Sequence, residues 1–360
     1  MKRIIVAGAG GSAALNFTRS LRLADEPFHL IGIDSSNHYL ARAETDERHL
    51  VPRACKAEYL PVIQQIAEES QAEMIFAQSD PEVSVLSDRR DELSIRTFLP
   101  GRRTVSLCQD KFETYRLWAE AGLQVPDTQL VRTVPELERF MADHSDVWLR
   151  PITGAAGIGA LHTDNVDETK TWLDDNQGWG NFTIAAYLSP NSVTWQSIWN
   201  RGELVVAQGR RRLYWEFANR APSGITGITG AAVTVTDEQV DEISHRAIMA
   251  VDAKPHGIFS VDLTYGPDGV PNPTEINIGR FFTTHLFFTE AGLNMPEIAV
   301  RLAFGEEPPT PARTINPLEP GLVWIRGVDK EPVLTNLATL RVTACELQQR
   351  IARIRRMVPA

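Results

Sequence analysis

The sequence predicts an α/β protein, with a parallel, doubly wound sheet first and a region of helices and antiparallel strands after it. Three observations predict this. Apolar runs of strand length alternate with helical stretches from residue 1 to about 103, a βαβαβ order that implies a parallel sheet. Residues 182–188, 193–199 and 203–207 alternate as antiparallel strands do. A Gly-Pro-Asp-Gly turn at 266–269 joins two more strands into a hairpin.

In chain order, residues 3–7 are an apolar strand, followed by a Gly-rich turn and a helix through 16–21. Residues 29–33 form the next strand, ending at Asp34; a helix opens at Tyr59, and residues 72–77 are a third strand. The composition breaks at Leu99-Pro100-Gly101. A short helix then runs from near Asp110 to Ala121, where Gly122 is a natural C-cap. Residues 147–151 are a strand and 153–160 a Gly/Ala-rich loop. A Gly/Thr loop spans 224–230, and helices are expected at 237–252 and 295–305. The tail from about 330 reads as a weak strand and then a basic helix over 345–357.

At 360 residues the chain has room for two to three domains, each with its own core. A formal net charge of -10 argues against a general nucleic-acid binder. No apolar run approaches the roughly 20 residues that cross a bilayer. The first residues move straight into a strand, without the apolar region of a signal peptide. Cys55, Cys108 and Cys345 are odd in number and far apart, and the histidines make no zinc-binding pattern. These features lead to the expectation of a reduced, cytoplasmic protein with no disulfide, nucleic-acid partner or membrane anchor.

Two glycine motifs compete for a ligand. Gly8-Ala9-Gly10-Gly11-Ser12-Ala13 fits the dinucleotide pattern Gly-x-Gly-x-x-Gly/Ala between a strand and a helix, with Asp34 where a ribose-binding acid would stand. An NAD(P)-dependent oxidoreductase is therefore one reading; a tight turn that only packs strand against helix is the other. The second motif is Arg150-Pro151 followed by Gly154, Gly157 and Gly159. Glycines let backbone N–H groups approach phosphate oxygens, and an adjacent guanidinium offsets their charge. No Gly-Lys-Ser/Thr follows, so this is not a Walker A loop.

The acidic hairpin is the most informative segment. Its turn brings Asp262 near Glu275 and Asn277, and the latter two, two residues apart, share a face. Three oxygen side chains on one spot suit a hard cation such as Mg²⁺, above all one carried by nucleotide phosphates. A solvated acidic hairpin is the alternative.

The spacing of Asp262, Glu275 and Asn277, with Arg280 just after, resembles the metal-binding end of ATP-grasp enzymes, the carboxylate–amine ligases related to the carbamoyl-phosphate synthetase large chain. Further motifs follow in the same order. Asp110-Lys111, then Ala121-Gly122-Leu123-Gln124-Val125-Pro126-Asp127-Thr128, is similar to the family's link between its first domain and its nucleotide-binding domain. Ala291-Gly292-Leu293-Asn294-Met295-Pro296 is similar to its closing motif. The resemblance covers residues from about 1 to 310. It implies a Rossmann-like domain over 1–103, an ATP-grasp domain over 104–325 whose lid spans about 128–190, α+β subdomains clamping the nucleotide, and a C-terminal extension over 326–360.

The resemblance also implies roles. Asp262, Glu275 and Asn277 would hold Mg²⁺; Lys111, Arg150, Gly154, Gly157, Gly159, Tyr187 and Leu188 would hold ATP; Arg280, Arg210 and Arg212 would face the transferred phosphate or the acyl group. The implied activity is ATP-dependent activation of a small carboxylate as an acyl phosphate, then capture by an amine, with a homodimer left open as the assembly. Arg150 replaces the family's Lys, and Ala186 and Ser192 replace acids expected near adenine and ribose. Those two replacements keep a non-catalytic ATP-binding regulator open beside the oxidoreductase.

Overall fold

The computed structural model describes residues 1–154, 157–220, 223–224, 228–327 and 337–357, and three sheets form among them. The first is built from β1 (Lys2–Ala7), α1 (Ser12–Arg22), β2 (Phe28–Asp34), α2 (Asn37–Leu40), β3 (Glu47–Leu50), α3 (Tyr59–Ser70), β4 (Met74–Phe76) and α4 (Asp80–Asp88). Its strands are parallel in the order β3-β2-β1-β4. β1 reads as a continuous apolar run because helices cover both of its faces: Ile4, Ile5 and Val6 are all fully buried.

Two helices lead out of this sheet, α5 (Arg102–Gln109) and α6 (Lys111–Glu120). α5 was not foreseen. α6 starts at Lys111 because Asp110 caps it, accepting the backbone N–H groups of Phe112 at 3.0 Å and Glu113 at 2.9 Å. Gly122, with φ +68°, provides the left-handed residue just beyond the helix end.

The second sheet comprises β5 (Thr128–Leu130), α7 (Val134–Asp143), β6 (Val147–Pro151), β7 (Leu161–Thr163), α8 (Val166–Asp175) and β8 (Phe182–Ala186). Its order is β5-β8-β6-β7, all antiparallel. The strand near 182–188 ends at Ala186 and pairs with β5 and β6, not with the strands that follow it. Ser189-Pro190-Asn191 turns the chain away, because Pro190 supplies no N–H to extend a ladder.

The third sheet contains β9 (Ser192–Asn200), β10 (Glu203–Trp215), β11 (Thr229–Val235), β12 (Gly257–Tyr265), β13 (Pro271–Ile278) and β14 (Val323–Ile325), with α9 (Glu238–Val251), α10 (Leu286–Glu290), α11 (Met295–Ala303) and α12 (Leu337–Met357). The strand order is β13-β12-β9-β10-β11-β14. β10 runs eight residues past the expected 207, so Arg210, Arg211 and Arg212 lie inside a strand. Part of the Gly/Thr loop, and the weak strand expected near 330, lie outside the described residues.

The three sheets share their cores unequally. One apolar core joins the α3 side of the parallel sheet to β9, β12 and α9. A second joins the α1 side to α10, α11 and the other face of the large sheet. The β5–β8 sheet has its own core, built on Leu137, Phe140, Leu149, Leu161, Leu173 and Ile184. The C-terminal helix is not a freely solvated one: Leu347, Ile351 and Ile354 of α12 pack on the first core, and Arg350 pairs with Glu69 at 2.8 Å.

Candidate active site

A cavity of about 700 Å³ lies where the three sheets meet. The hairpin β12–β13 forms its floor. Asp262 and Glu275 are register partners there, and both line the cavity together with Asn277. The Asp262 carboxylate is fixed on both sides, accepting the Thr194 hydroxyl at 2.5 Å and the Asn277 amide N–H at 3.0 Å.

Cations ring these acids. Lys111 Nζ stands 4.0 Å from Glu275 and donates to the Gly154 carbonyl at 2.5 Å. Arg150, at the end of β6, lies 3.8 Å from Glu275 and donates to the Thr274 carbonyl at 2.7 Å. Arg212 stands 4.0 Å from Asp262, donates to the Ser192 hydroxyl at 2.6 Å and stacks 3.6 Å over the Trp215 ring. Arg210, on the same face of β10, is 2% exposed and lies 4.1 Å over Phe282, with its Nε unpartnered. Arg211, between them, is exposed and points away.

Burial sets the protonation tendencies. It pushes the Lys111 ammonium below its ordinary value, against the pull of Glu275. It pushes the Arg210 guanidinium down to about 9, with neighbouring Arg212 acting in the same direction. At Arg280 burial also acts downward, but Asp80, Glu275 and Asp262 together hold the group above its usual value. Its Nε donates to Asp80 at 2.5 Å and one Nη donates to Asn277 at 2.7 Å.

One side of the cavity is formed by the second sheet. Gly154, Gly157, Tyr187 and Leu188 line it, and Tyr187 stacks on His162 at 3.8 Å. Gly159 does not line it: its carbonyl accepts the Trp172 indole N–H at 3.0 Å, and its open side faces Pro151 and Phe182. Its φ of +77° makes it a turn residue. Ala155 and Ala156 of the same loop lie outside the described residues.

Sequence reasoning missed several wall residues. Asp80, the partner of Arg280, lies 200 positions away in a helix that carried no motif. Thr194 is an ordinary strand residue until register sets it opposite Asp262. Trp148, Trp215 and Gln78 carried no spacing signal. His285 is fully buried, and its Nδ1 lies 2.8 Å from the Phe282 carbonyl.

The first glycine motif is closed. A Cβ on Gly10 would stand 1.8 Å from the Tyr39 carbonyl oxygen, because α2 lies across the turn. The Asp34 carboxylate is buried and already accepts the Ser36 N–H at 2.9 Å and the Gly10 N–H at 3.4 Å. A pyrophosphate on this turn would have to displace α2.

The oxygen set fits Mg²⁺. Two carboxylates and one amide oxygen are hard donors, too few to cage an ion and enough to share one with phosphates. Among the described residues no group of three or more His, Cys, Asp or Glu side chains converges as a self-sufficient metal site.

The fold is shared with solved structures. The biotin carboxylase domain of Hydrogenobacter thermophilus 2-oxoglutarate carboxylase, described as a dimer with MgADP, ADP and bicarbonate, superposes with TM-score 0.67 at 16% identity, covering 89% of this chain and 73% of that one. Carboxyaminoimidazole ribonucleotide synthase from Aspergillus clavatus, complexed with ATP, gives 0.66 at 14% identity, with 88% and 80% covered. L-amino acid ligase from Bacillus licheniformis gives 0.65 at 13% identity, with 84% and 74% covered. This chain has the ATP-grasp fold. No protein-family model matches the sequence, and no curated protein does. The cavity lies between the β5–β8 sheet and the large sheet, and no described helix is long and apolar enough to cross a membrane.

Proposed function

We propose that this chain is a Mg²⁺- and ATP-dependent ligase that activates a small carboxylate as an acyl phosphate and joins it to an amine. The observation that carries the reading is the paired-strand set Asp262, Glu275 and Asn277 facing a cavity ringed by Lys111, Arg150, Arg210, Arg212 and Arg280. Acids alone would repel a nucleotide. Acids that hold a divalent cation, set among fixed cations, accept its phosphates.

In this reading Asp262, Glu275 and Asn277 would hold Mg²⁺, whose charge would offset that of the phosphates. Lys111 and Arg150 bind phosphate oxygens, aided by Gly154 and Gly157, while Tyr187 and Leu188 supply backbone groups for the base. Arg210 and Arg280 face the carboxylate end. A carboxylate oxygen attacks the γ-phosphorus and the bond to ADP breaks. The neutral amine nitrogen then attacks the acyl carbon, phosphate leaves, and the nitrogen's proton passes to phosphate or solvent. The protein's share is positioning and charge stabilisation, so no nucleophilic side chain is needed. The lid sheet, with its own core, can close over the site and exclude water that would hydrolyse the acyl phosphate.

The test is a screen of small carboxylates with MgATP and hydroxylamine. Carboxylate-dependent ADP release with hydroxamate formation is the expected result. ATP binding without turnover in any pool would instead indicate a regulator.

A further inference from the structure

Among the described residues, one corner of the cavity holds a polar group with nothing to bind. Gln78 is 8% exposed and lines the cavity, yet neither its Nε2 nor its Oε1 has a partner. Buried amides are almost always satisfied, so an orphaned one in a cavity wall signals a missing partner. Its neighbours are already engaged. The Ser79 hydroxyl donates to Glu82 at 2.8 Å, and Asp80 is paired with Arg280.

The position in the fold points the same way. Gln78 follows β4, which lies beside β1, and the order β3-β2-β1-β4 reverses its direction between those two strands. Open α/β sheets take ligands outside their carboxyl ends at such a reversal. The contact chain Asp80–Arg280–Asn277 ties this corner to the proposed metal end. A group held by Gln78 therefore sits beside the acyl group rather than beside the adenine.

Resting on the ligase reading, we propose that the Gln78 carboxamide binds the amine nucleophile, its Oε1 accepting an amine N–H and its Nε2 donating to an acceptor next to that amine. An amine beside a carbonyl, as in an amino acid or its amide, carries this pair. The chemistry suits an amide better than an acid. The attacking nitrogen must be neutral, and a carboxylate at this position would favour the ammonium form. Arg280 already balances Asp80, and burial keeps the neighbouring Glu82 carboxyl, which accepts the Gln78 backbone N–H, towards its neutral form.

The experiment uses the full chain with the carboxylate identified by hydroxylamine trapping, and a nucleophile panel of amino acids, their amides and simple alkyl amines. Wild type should prefer members with the carbonyl acceptor. In Gln78→Leu the KM for the preferred amine should rise about tenfold or more, while the KM for ATP and the hydroxamate rate stay within about twofold. Gln78→Glu should move the pH optimum for amine capture upward without moving that of hydroxamate formation. If Gln78→Leu fails to fold, judged by loss of MgADP-dependent thermal stabilisation, Gln78→Asn takes its place. An unchanged amine KM, equal use of alkyl amines, hydroxamate loss in parallel with amine use, or hydroxamate formation with no amine accepted overturns the inference alone. Absence of hydroxamate in wild type overturns the ligase reading beneath it.

Discussion

Two glycine-rich turns follow two strands of this chain; the second opens on the cavity, and the first packs against its own chain. The turn at Gly8–Gly11 matches a dinucleotide pattern, yet the Tyr39 carbonyl fills the space a side chain at Gly10 would need. The turn at Gly154–Gly159 is no Walker A motif, yet Gly154 and Gly157 face the cavity with Lys111 and Arg150 beside them. The glycines at the first turn serve close packing, and two of those at the second leave room for something else. A glycine pattern reports where a side chain cannot stand; what occupies the vacated space decides whether it is a site.

The largest expected effect lies on the open side. Glu275→Ala removes a proposed metal ligand and leaves Lys111 and Arg150 facing each other, so carboxylate-dependent ADP release should fall by about a hundred- to a thousandfold, as when a principal electrostatic group is lost. Circular dichroism should show the fold retained, because Glu275 lies outside the three apolar cores. Near-normal turnover would erase the distinction between the turns.

Next comes the glycine comparison itself. Gly10→Ala should lower stability by on the order of 2–4 kcal/mol, since backbone must move to admit the methyl group. Gly154→Ala meets only Pro151, at 3.7 Å, but holds φ at +132°. Its cost should be about 1–3 kcal/mol of local strain, felt mainly as slower turnover. Thermal unfolding and kinetics of both variants check the contrast, which fails if Gly10→Ala is stable and selectively inactive.

A smaller effect tests the closed side alone. Glu82, buried beside Gly8, takes the Ser79 hydroxyl, and burial together with nearby Asp34 pushes its carboxyl up to about 7. A folded-state value above the unfolded one means that the stability contribution is complete below about 4.5 and lost as pH rises through about 7. Glu82→Gln should therefore flatten the fall of Tm between pH 5 and pH 8, a difference on the order of 3 kcal/mol at most. An identical pH dependence in the variant would show that Glu82 is not buried as described.

Much of the floor of the site was legible because its information is local. The Gly-Pro-Asp-Gly turn fixes the hairpin and a spacing of two puts Asn277 beside Glu275, whereas the pairing of Asp262 with Glu275 depends on an extra residue in β13, Thr274, which shifts the register between Asp262 and Leu263. The Asp110 cap and Gly122 bounded α6 for the same reason. What was not legible depends on the fold closing. Asp80 and Arg280 meet across 200 residues. Tyr39 reaches Gly10 from a four-residue helix too short to show periodicity. The strand at 182–186 carries the alternation of its neighbours but joins another sheet, since alternation gives a strand's faces and not its partner.

The most direct test of the account is amide hydrogen exchange of the whole protein with MgADP and, separately, with NADH. The account predicts that MgADP protects peptides carrying Gly157 and Leu188 and leaves the Gly8–Gly11 peptide unchanged, while NADH protects neither. Protection of the Gly8–Gly11 peptide by NADH, with none at Gly157 under MgADP, would contradict it.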